Sequence, residues 1–285
     1  MTGADRQRFL NAYVTCDVKA LAPGDGAYGF FTTAQGRILS DAVVLAQADR
    51  LWLDVGPSQE GAIADHLRKF VIVDRVEIRQ LQEIEILTLV GPRAAEALAA
   101  AVPEETWKHA QVLVDGVETT VQRRGLLGAP ALSLWVPASD TPRVCELLLA
   151  RDGVRPVGEE ALEVLRAEAG IPRFGVDFGA DNFPQETGLA EAVSYTKGCY
   201  LGQEVVARIH YRGGVQKELR KLRIQSGSMP RSGAPLLFDG REAGAATTVV
   251  QTPDGRTIGL GIVHRRAAEP GTRLEMADGG WALVD

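Results

Sequence analysis

Residues 195–213 read Tyr-Thr-Lys-Gly-Cys-Tyr-Leu-Gly-Gln-Glu-Val-Val-Ala-Arg-Ile-His-Tyr-Arg-Gly, and no other stretch restricts the fold so tightly. Leu201, Val205 and Ile209 recur at i, i+4 and i+8, which predicts a helix with one apolar stripe that Thr196 would cap. Glycine inside a helix costs roughly 1 kcal/mol against alanine. Gly202 therefore calls for a close approach to its backbone, by a ligand or in a tight helix crossing. In this register Cys199 falls in the first turn, where exposed backbone N–H groups favour a thiolate and Lys197 adds positive charge. That predicts a reactive sulfur. The alternative is a small buried residue at a helix start, a common station for free cysteine.

The 285 residues, 45% of them hydrophobic, suffice for a sizeable core in two or three domains. Thirty-one basic against thirty-seven acidic side chains give a net charge of −6, which argues against general charge-driven nucleic-acid binding. Cys16, Cys145 and Cys199 are too scattered for a disulfide framework and lack the paired spacing of a zinc site, so no metal centre is expected and a reducing cytoplasm fits. The N-terminus has no apolar targeting region, and no apolar run approaches the ~18 residues of a membrane span.

Along the chain, a helix is expected over residues 5–18, then a hairpin of strands 28–33 and 37–46 turning at Ala34-Gln35-Gly36, and a third strand over 51–55. A helix over 58–70 would be capped by Ser58. Strands are expected over 76–81 and 84–90, an alanine-rich helix from Pro92 through Val102, strands near 112–114, 119–122 and 132–136, and a helix over 142–150 with Asp140 as a cap candidate and Cys145 in the core. Residues 159–169 predict an amphipathic helix stopped by Gly170 and Pro172. After an irregular stretch and the central helix, short strands over 219–225, 235–238, 245–251, 257–263 and 273–276 are punctuated by Asp239-Gly240, Asp254-Gly255 and Asp278-Gly279, the pattern of a small antiparallel barrel or sandwich. Helices set between strand pairs imply an α+β fold with ferredoxin-like units.

Other constellations carry less. Gly259-Leu260-Gly261 lies among strands without a crossover helix, which rejects a dinucleotide site. His66, His109, His210 and His264 are dispersed. A Cys199–His210 pair would have to span ~16 Å of helix. Arg208, Arg212, Lys217, Arg220, Lys221 and Arg223 face only Glu218, a local reversal of charge that suits an anion, with Arg208 and Arg212 as candidate contacts, or else a solvated helix end and a guarded strand edge.

Lys197-Gly198-Cys199-Tyr200-Leu201-Gly202-Gln203-Glu204, followed by Val206-Ala207-Arg208, resembles the signature of the folate-binding YgfZ-type proteins, relatives of the glycine-cleavage T protein, an aminomethyltransferase. Arg166 to Pro172, Pro184-Gln185-Glu186, Thr2 to Asp5 and Gln35 to Leu39 extend the resemblance over nearly the whole chain. It implies a T-protein-like region over 1–214, with an inserted ferredoxin-like unit over 75–155, and a C-terminal β-barrel over 215–285. In the family, an opening strand precedes the glycine turn that here lies beside Met1.

The resemblance further implies tetrahydrofolate as ligand, iron–sulfur proteins or their assembly machinery as partners, and a link to tRNA modification through such enzymes. Cys199, presented by Lys197 and Gly198, would act as a thiolate, with Gln203 and Glu204 shaping the helix entrance. Glu168 and Glu186, with Arg166, would bind the cofactor, since a carboxylate can accept two N–H bonds from the amino-pyrimidinone edge of a pterin. The basic cluster with Arg208 and Arg212 suits a polyanion such as the polyglutamate tail of a folate, a phosphate or an RNA backbone. Asp41 falls where T proteins carry an acidic pair, but Ser40 replaces the first acid, Ala129 replaces the glutamate of a Thr-Gly-Glu-x-Gly motif, and Leu162 stands where relatives place a polar or aromatic pterin contact. Two alternatives follow: an aminomethyltransferase with Asp41 orienting the reactive amine, or a folate-sensing module without chemistry.

Overall fold

The computed structural model describes residues 1–285 except Pro57 and Asp278, and it has the expected α+β architecture ending in a closed antiparallel barrel. The chain forms two units. The first comprises Met1–Phe31, Asp41–Val157 and Thr196–Tyr200; the second comprises Thr32–Ser40, Gly158–Tyr195 and Leu201–Asp285.

The first unit opens with α1 (Arg6–Asn11), followed by β1 (Gly26–Thr32), β2 (Ile38–Ala46) and β3 (Leu51–Val55), a sheet in the order β1-β2-β3 whose hairpin tip is counted with the second unit. Helix α2 (Glu60–Arg68) buries Ile63, Ala64 and Leu67. Then come β4 (Ile84–Val90), α3 (Ala94–Leu98), β5 (His109–Val114), β6 (Val117–Arg124), β7 (Ala131–Pro137) and α4 (Thr141–Leu149). The four strands form an antiparallel sheet in the order β4-β7-β6-β5. Alternation sends Val117, Val121, Leu132, Leu134 and Val136 to one face, where they pack with Ala94 and Leu98 of α3 and Val144 and Leu148 of α4. The other face carries Thr120, Gln122, Ser133 and Trp135, and Trp135 stacks on Trp52 of β3 with ring centroids 5.2 Å apart.

The second unit contains α5 (Glu159–Ala169), two short 3-10 turns (Pro184–Thr187 and Ala190–Ala192), α6 (Gln203–Arg212), and the barrel strands β8 (Lys217–Gln225), β9 (Ala234–Phe238), β10 (Arg241–Gln251), β11 (Thr257–His264), β12 (Arg273–Met276) and β13 (Trp281–Val284). The barrel closes in the order β10-β11-β8-β13-β12-β9 around Leu222, Leu236, Ala246, Val263, Leu274 and Val284. A register shift between Ala246 and Thr248 inserts one residue into β10 opposite β11. Helix α5 packs on β10 and β11. No helix among the described residues is long and apolar enough to cross a membrane.

Several sequence expectations are corrected. The helix expected over 5–18 stops at Asn11, because the Asn11 side chain accepts the N–H groups of Val18 and Lys19 and the following chain pairs with β1 through Val14 and Phe31. Ser58 does not cap α2: its φ is +67°, and Gln59 stands at the N-cap. Instead of a strand over 76–81, there is one bridge from Glu77 to Thr2. The alanine-rich helix is cut to one turn by Ala99 in the left-handed conformation. The barrel has a sixth strand, β13, beyond the five that alternation and turn pairs predict. The expected turn pair Asp278-Gly279 includes a residue outside the described ones.

The central helix also starts later than its apolar spacing predicts. Helix α6 begins at Gln203 with Gly202 as N-cap at φ +85°, so Cys199 precedes the helix and is outside its first turn. A Cβ on Gly202 would lie 2.4 Å from the Thr33 carbonyl oxygen and 2.8 Å from Thr32 Oγ1, which accounts for the glycine as a close approach by the 32–36 turn. Thr32 Oγ1 donates to the Leu201 carbonyl at 2.5 Å, fixing that approach.

Candidate functional site

Two hollows of the first unit are built by different residues. One is a cavity of about 480 Å³ between β3, α2, the 78–82 segment, β4 and β7; Trp52, Asp54, Ile63, Leu67, Ile84 and Trp135 line it. Trp52 and Trp135 lie 13° from parallel, giving an aromatic wall of the kind that stacks on planar ligands. Behind it the interior turns polar: Arg124 Nη1 donates to Asp54 Oδ2 at 2.7 Å and to Ser133 Oγ at 3.4 Å. Tyr28 donates its hydroxyl to Asp41 Oδ2 at 2.7 Å and stacks on Trp107.

The second hollow is an open groove of about 660 Å³ lined by Arg8, Phe9, Tyr13, Asp17, Lys19, Asp74, Lys197, Gly198 and Cys199. Cys199 is exposed, whereas Cys16 is buried and burial pushes its thiol up to about 12. Lys197 is not a surface charge beside the sulfur. It is buried and donates to the carbonyl oxygens of Asn11, Val14 and Cys16 at 2.6, 2.6 and 2.8 Å, with Nζ also 5.0 Å from the centre of the Tyr200 ring. Burial lowers its pKa to about 8, so it stays an ammonium at pH 7. Asp41 is not among the residues lining this groove.

In the second unit a groove of about 800 Å³ is lined by Arg37, Phe178, Phe183, Glu186, Arg208, Lys217 and their neighbours. Glu186 is buried and accepts the Phe183 N–H and the Asn182 amide at 3.1 and 3.0 Å, closing its own turn. Arg208 is exposed on this groove; Arg212 is exposed but does not line it. Arg166 is buried in an ion network: its guanidinium meets Glu163, Asp177 Oδ2 at 2.5 Å and Thr248 Oγ1 at 2.6 Å. Thr247, Thr248 and the Arg173 N–H complete the acceptor positions of Asp177. Those bonds commit Arg166 to joining α5 to the barrel. Glu168 is at the surface, 3.6 Å from Arg256. Gln203 is half-buried and Glu204 exposed at the start of α6.

Residues 1–197 match the family described as the GCVT N-terminal domain. The chain belongs to that family. Among GCVT relatives, the aminomethyltransferases of Desulforamulus reducens and Bacillus cytotoxicus are each 28% identical to it, over 97% of this chain and 78% of theirs. A chloroplast protein of Arabidopsis thaliana named as a transferase is 26% identical over 98% of this chain and 66% of its own length. The crystal structure of the glycine cleavage system aminomethyltransferase T from Bartonella henselae superposes with a TM-score of 0.89 at 25% identity, over 99% of this chain and 80% of that one.

Sequence reasoning missed Trp52, Trp135, Tyr28 and Arg124. The available signal was the polar or aromatic member of each alternating pair in strands otherwise rich in valine and leucine, as in Leu132-Ser133-Leu134-Trp135. Asp41 yields a direct test. Burial raises its carboxyl pKa from 3.8, against the opposing pull of the Tyr28 hydrogen bond. Between the unfolded value and the raised folded value the native state holds more protons, so stability falls as pH rises through that interval and the cost persists at pH 7. Asp41→Asn is expected to melt higher than wild type at pH 7 and equally near pH 3. A lower melting temperature at pH 7 would show that the charged carboxylate is the stabilising form.

Proposed function

We propose that this GCVT-family chain binds tetrahydrofolate and acts as a YgfZ-type accessory protein for the assembly or repair of iron–sulfur enzymes, in a reducing cytoplasm, with Cys199 as its reactive group. The observation that carries this reading is that one unit combines an aromatic-walled cavity with an exposed thiol in a separate groove. The stacked indoles offer the planar face that a pterin needs, and the thiol is open to a second, larger partner. Gly198 leaves the space above the chain beside the sulfur free, since a Cβ there would meet nothing within 4 Å. Lys197 supports the loop from beneath. Arg208, on the second unit's groove, is the better placed of the two anion candidates, and links to tRNA modification would run through the enzymes served.

A second reading, transfer of an aminomethyl carbon to tetrahydrofolate, is favoured by the similarity to aminomethyltransferases over almost the whole chain. It would use Asp41, held by Tyr28, to orient the reacting amine, because electrostatic positioning of that nitrogen needs a carboxylate. Ser40 in place of a second acid weighs against it.

Titration with tetrahydrofolate, followed by quenching of indole fluorescence, tests the shared premise; no binding at millimolar ligand would falsify it. Incubation with an aminomethylated carrier separates the readings: methylenetetrahydrofolate should not accumulate, and turnover would establish the second. In native protein iodoacetamide should modify Cys199 readily and spare Cys16. Cys199→Ala should keep folate affinity while losing support of iron–sulfur enzyme activity, and a Cys199→Ala protein with full support would end the accessory reading.

A further inference from the structure

The four-stranded sheet has β5 at one edge and β4 at the other, and the two edges differ. At β5 the outward N–H of His109 donates to the Gly24 carbonyl at 2.9 Å, so that edge is engaged where it begins. Strand β4 has β7 on one side, and among the described residues no strand pairs with its other side. The register identifies the groups this leaves. The Glu83 carbonyl accepts the Ala138 N–H at 2.9 Å and the Gly91 N–H donates to Pro130 at 2.8 Å, so Glu85, Leu87 and Leu89 between them are the residues that exchange hydrogen bonds with β7. The N–H and C=O groups of Ile84, Ile86, Thr88 and Val90 therefore point away from the sheet.

An edge of this kind is ordinarily guarded by lysine, proline, a bulge or a covering segment. Strand β4 reads Ile-Glu-Ile-Leu-Thr-Leu-Val in unbroken register, with Glu85 its one charge, and Ile86 and Thr88 are exposed. Such an edge accepts a further strand. Its charges select which one: Glu83 and Glu85 stand at the start and Arg93 just past the end, all three exposed. An antiparallel copy brings each acidic start toward the other's basic end, whereas a parallel copy sets like charges side by side. We propose that β4 is a dimerisation edge, pairing antiparallel with β4 of a second copy about a two-fold axis at Leu87. That register sets Ile84 against Val90 and Ile86 against Thr88, so every outward N–H and C=O is used. A shift of two residues either way would set Val90 against Gln82, or Ile84 against Pro92, which has no N–H. The contact is self-complementary and closes. Ile84 and Ile86 also line the cavity beside Trp52 and Trp135, so the second copy extends that cavity's rim.

Sedimentation velocity of the full chain, with amide exchange followed by NMR, tests the proposal. A single strand pair is a small contact, so self-association should appear between about 10 and 500 µM. Across that range exchange at Ile84, Ile86, Thr88 and Val90 should slow about twofold or more, while Glu85, Leu87 and Leu89 are protected throughout. Thr88→Pro removes an N–H that the monomer does not use, so it should melt within about 3 °C of wild type. It removes two bonds from the dimer and should raise the dissociation constant about thirtyfold. Leu87→Cys, in a Cys199→Ala background, should cross-link to itself on mild oxidation, because facing residues of a non-hydrogen-bonded pair stand about 4.5 Å apart. Ile84→Cys in the same background should not. A chain that stays monomeric at the top of the range, with the outward amides exchanging at one rate, overturns the proposal. So does a dimer that Thr88→Pro leaves intact, or one that Ile84→Cys locks and Leu87→Cys does not.

Discussion

Asp177→Asn will destabilise the protein by about 3–5 kcal/mol, the usual cost of removing one partner from a buried ion pair. The Asp177 side chain has no exposure and that of Arg166 only 6%, so the guanidinium left behind cannot recover its hydration. The loss is larger than a single pair implies in isolation, because the same carboxylate also accepts from Thr247 and Thr248 of β10 and from the Arg173 backbone. Urea unfolding of the full chain measures it. The control is the double change Arg166→Met with Asp177→Leu, which removes both charges together; replacing a whole buried pair by apolar groups is often neutral. Glu163 would keep Arg173 at 3.0 Å, so the double variant should recover much of the deficit. An Asp177→Asn protein within 1 kcal/mol of wild type would mean that solvent reaches the network.

The second large effect belongs to Lys197. Its ammonium satisfies three backbone carbonyls of the segment that forms the wall of the Cys199 groove. Lys197→Met leaves them buried and unmet, at about 1–3 kcal/mol each, so a loss of about 3 kcal/mol or more is expected. The pH dependence has a definite sign. Burial depresses the folded pKa from 10.5 to about 8; below pH 8 the residue is charged in both states and its contribution is constant. Between about 8 and 10.5 the unfolded chain holds more protons, so stability supplied at this position rises with pH. The difference in urea midpoint between wild type and Lys197→Met should therefore widen across that window. A difference that is flat or narrows would place the folded pKa at its ordinary value. Loosening the wall should also expose Cys16, raising the number of thiols titrated by a disulfide reagent in the native variant.

Elements whose signals are local were legible in the residues themselves. Helix α5 matches its apolar spacing and its glycine stop to the residue, and five of six barrel strands follow from alternation and turn pairs. Elements decided by distant partners were not. The start of α6 depends on a turn some 170 residues earlier that leaves no room for a side chain at Gly202. Arg166 looked available for a ligand because its partners, Asp177 and Thr248, are 11 and 82 residues away. Lys197 looked like a charge donor to Cys199 because the carbonyls that accept its hydrogen bonds come from residues 11–16. Trp52 and Trp135 meet only once two sheets are assembled, so spacing along the chain held no sign of their shared wall.

The extra residue in β10 turns two consecutive threonines toward the same carboxylate oxygen, an orientation that regular alternation forbids. Deleting Thr247, the residue between Ala246 and Thr248, would restore a regular pleat while stripping that oxygen of a donor. In a library of single-codon deletions this strand should thus be a blind spot, while the hairpin tips around it accept shortening.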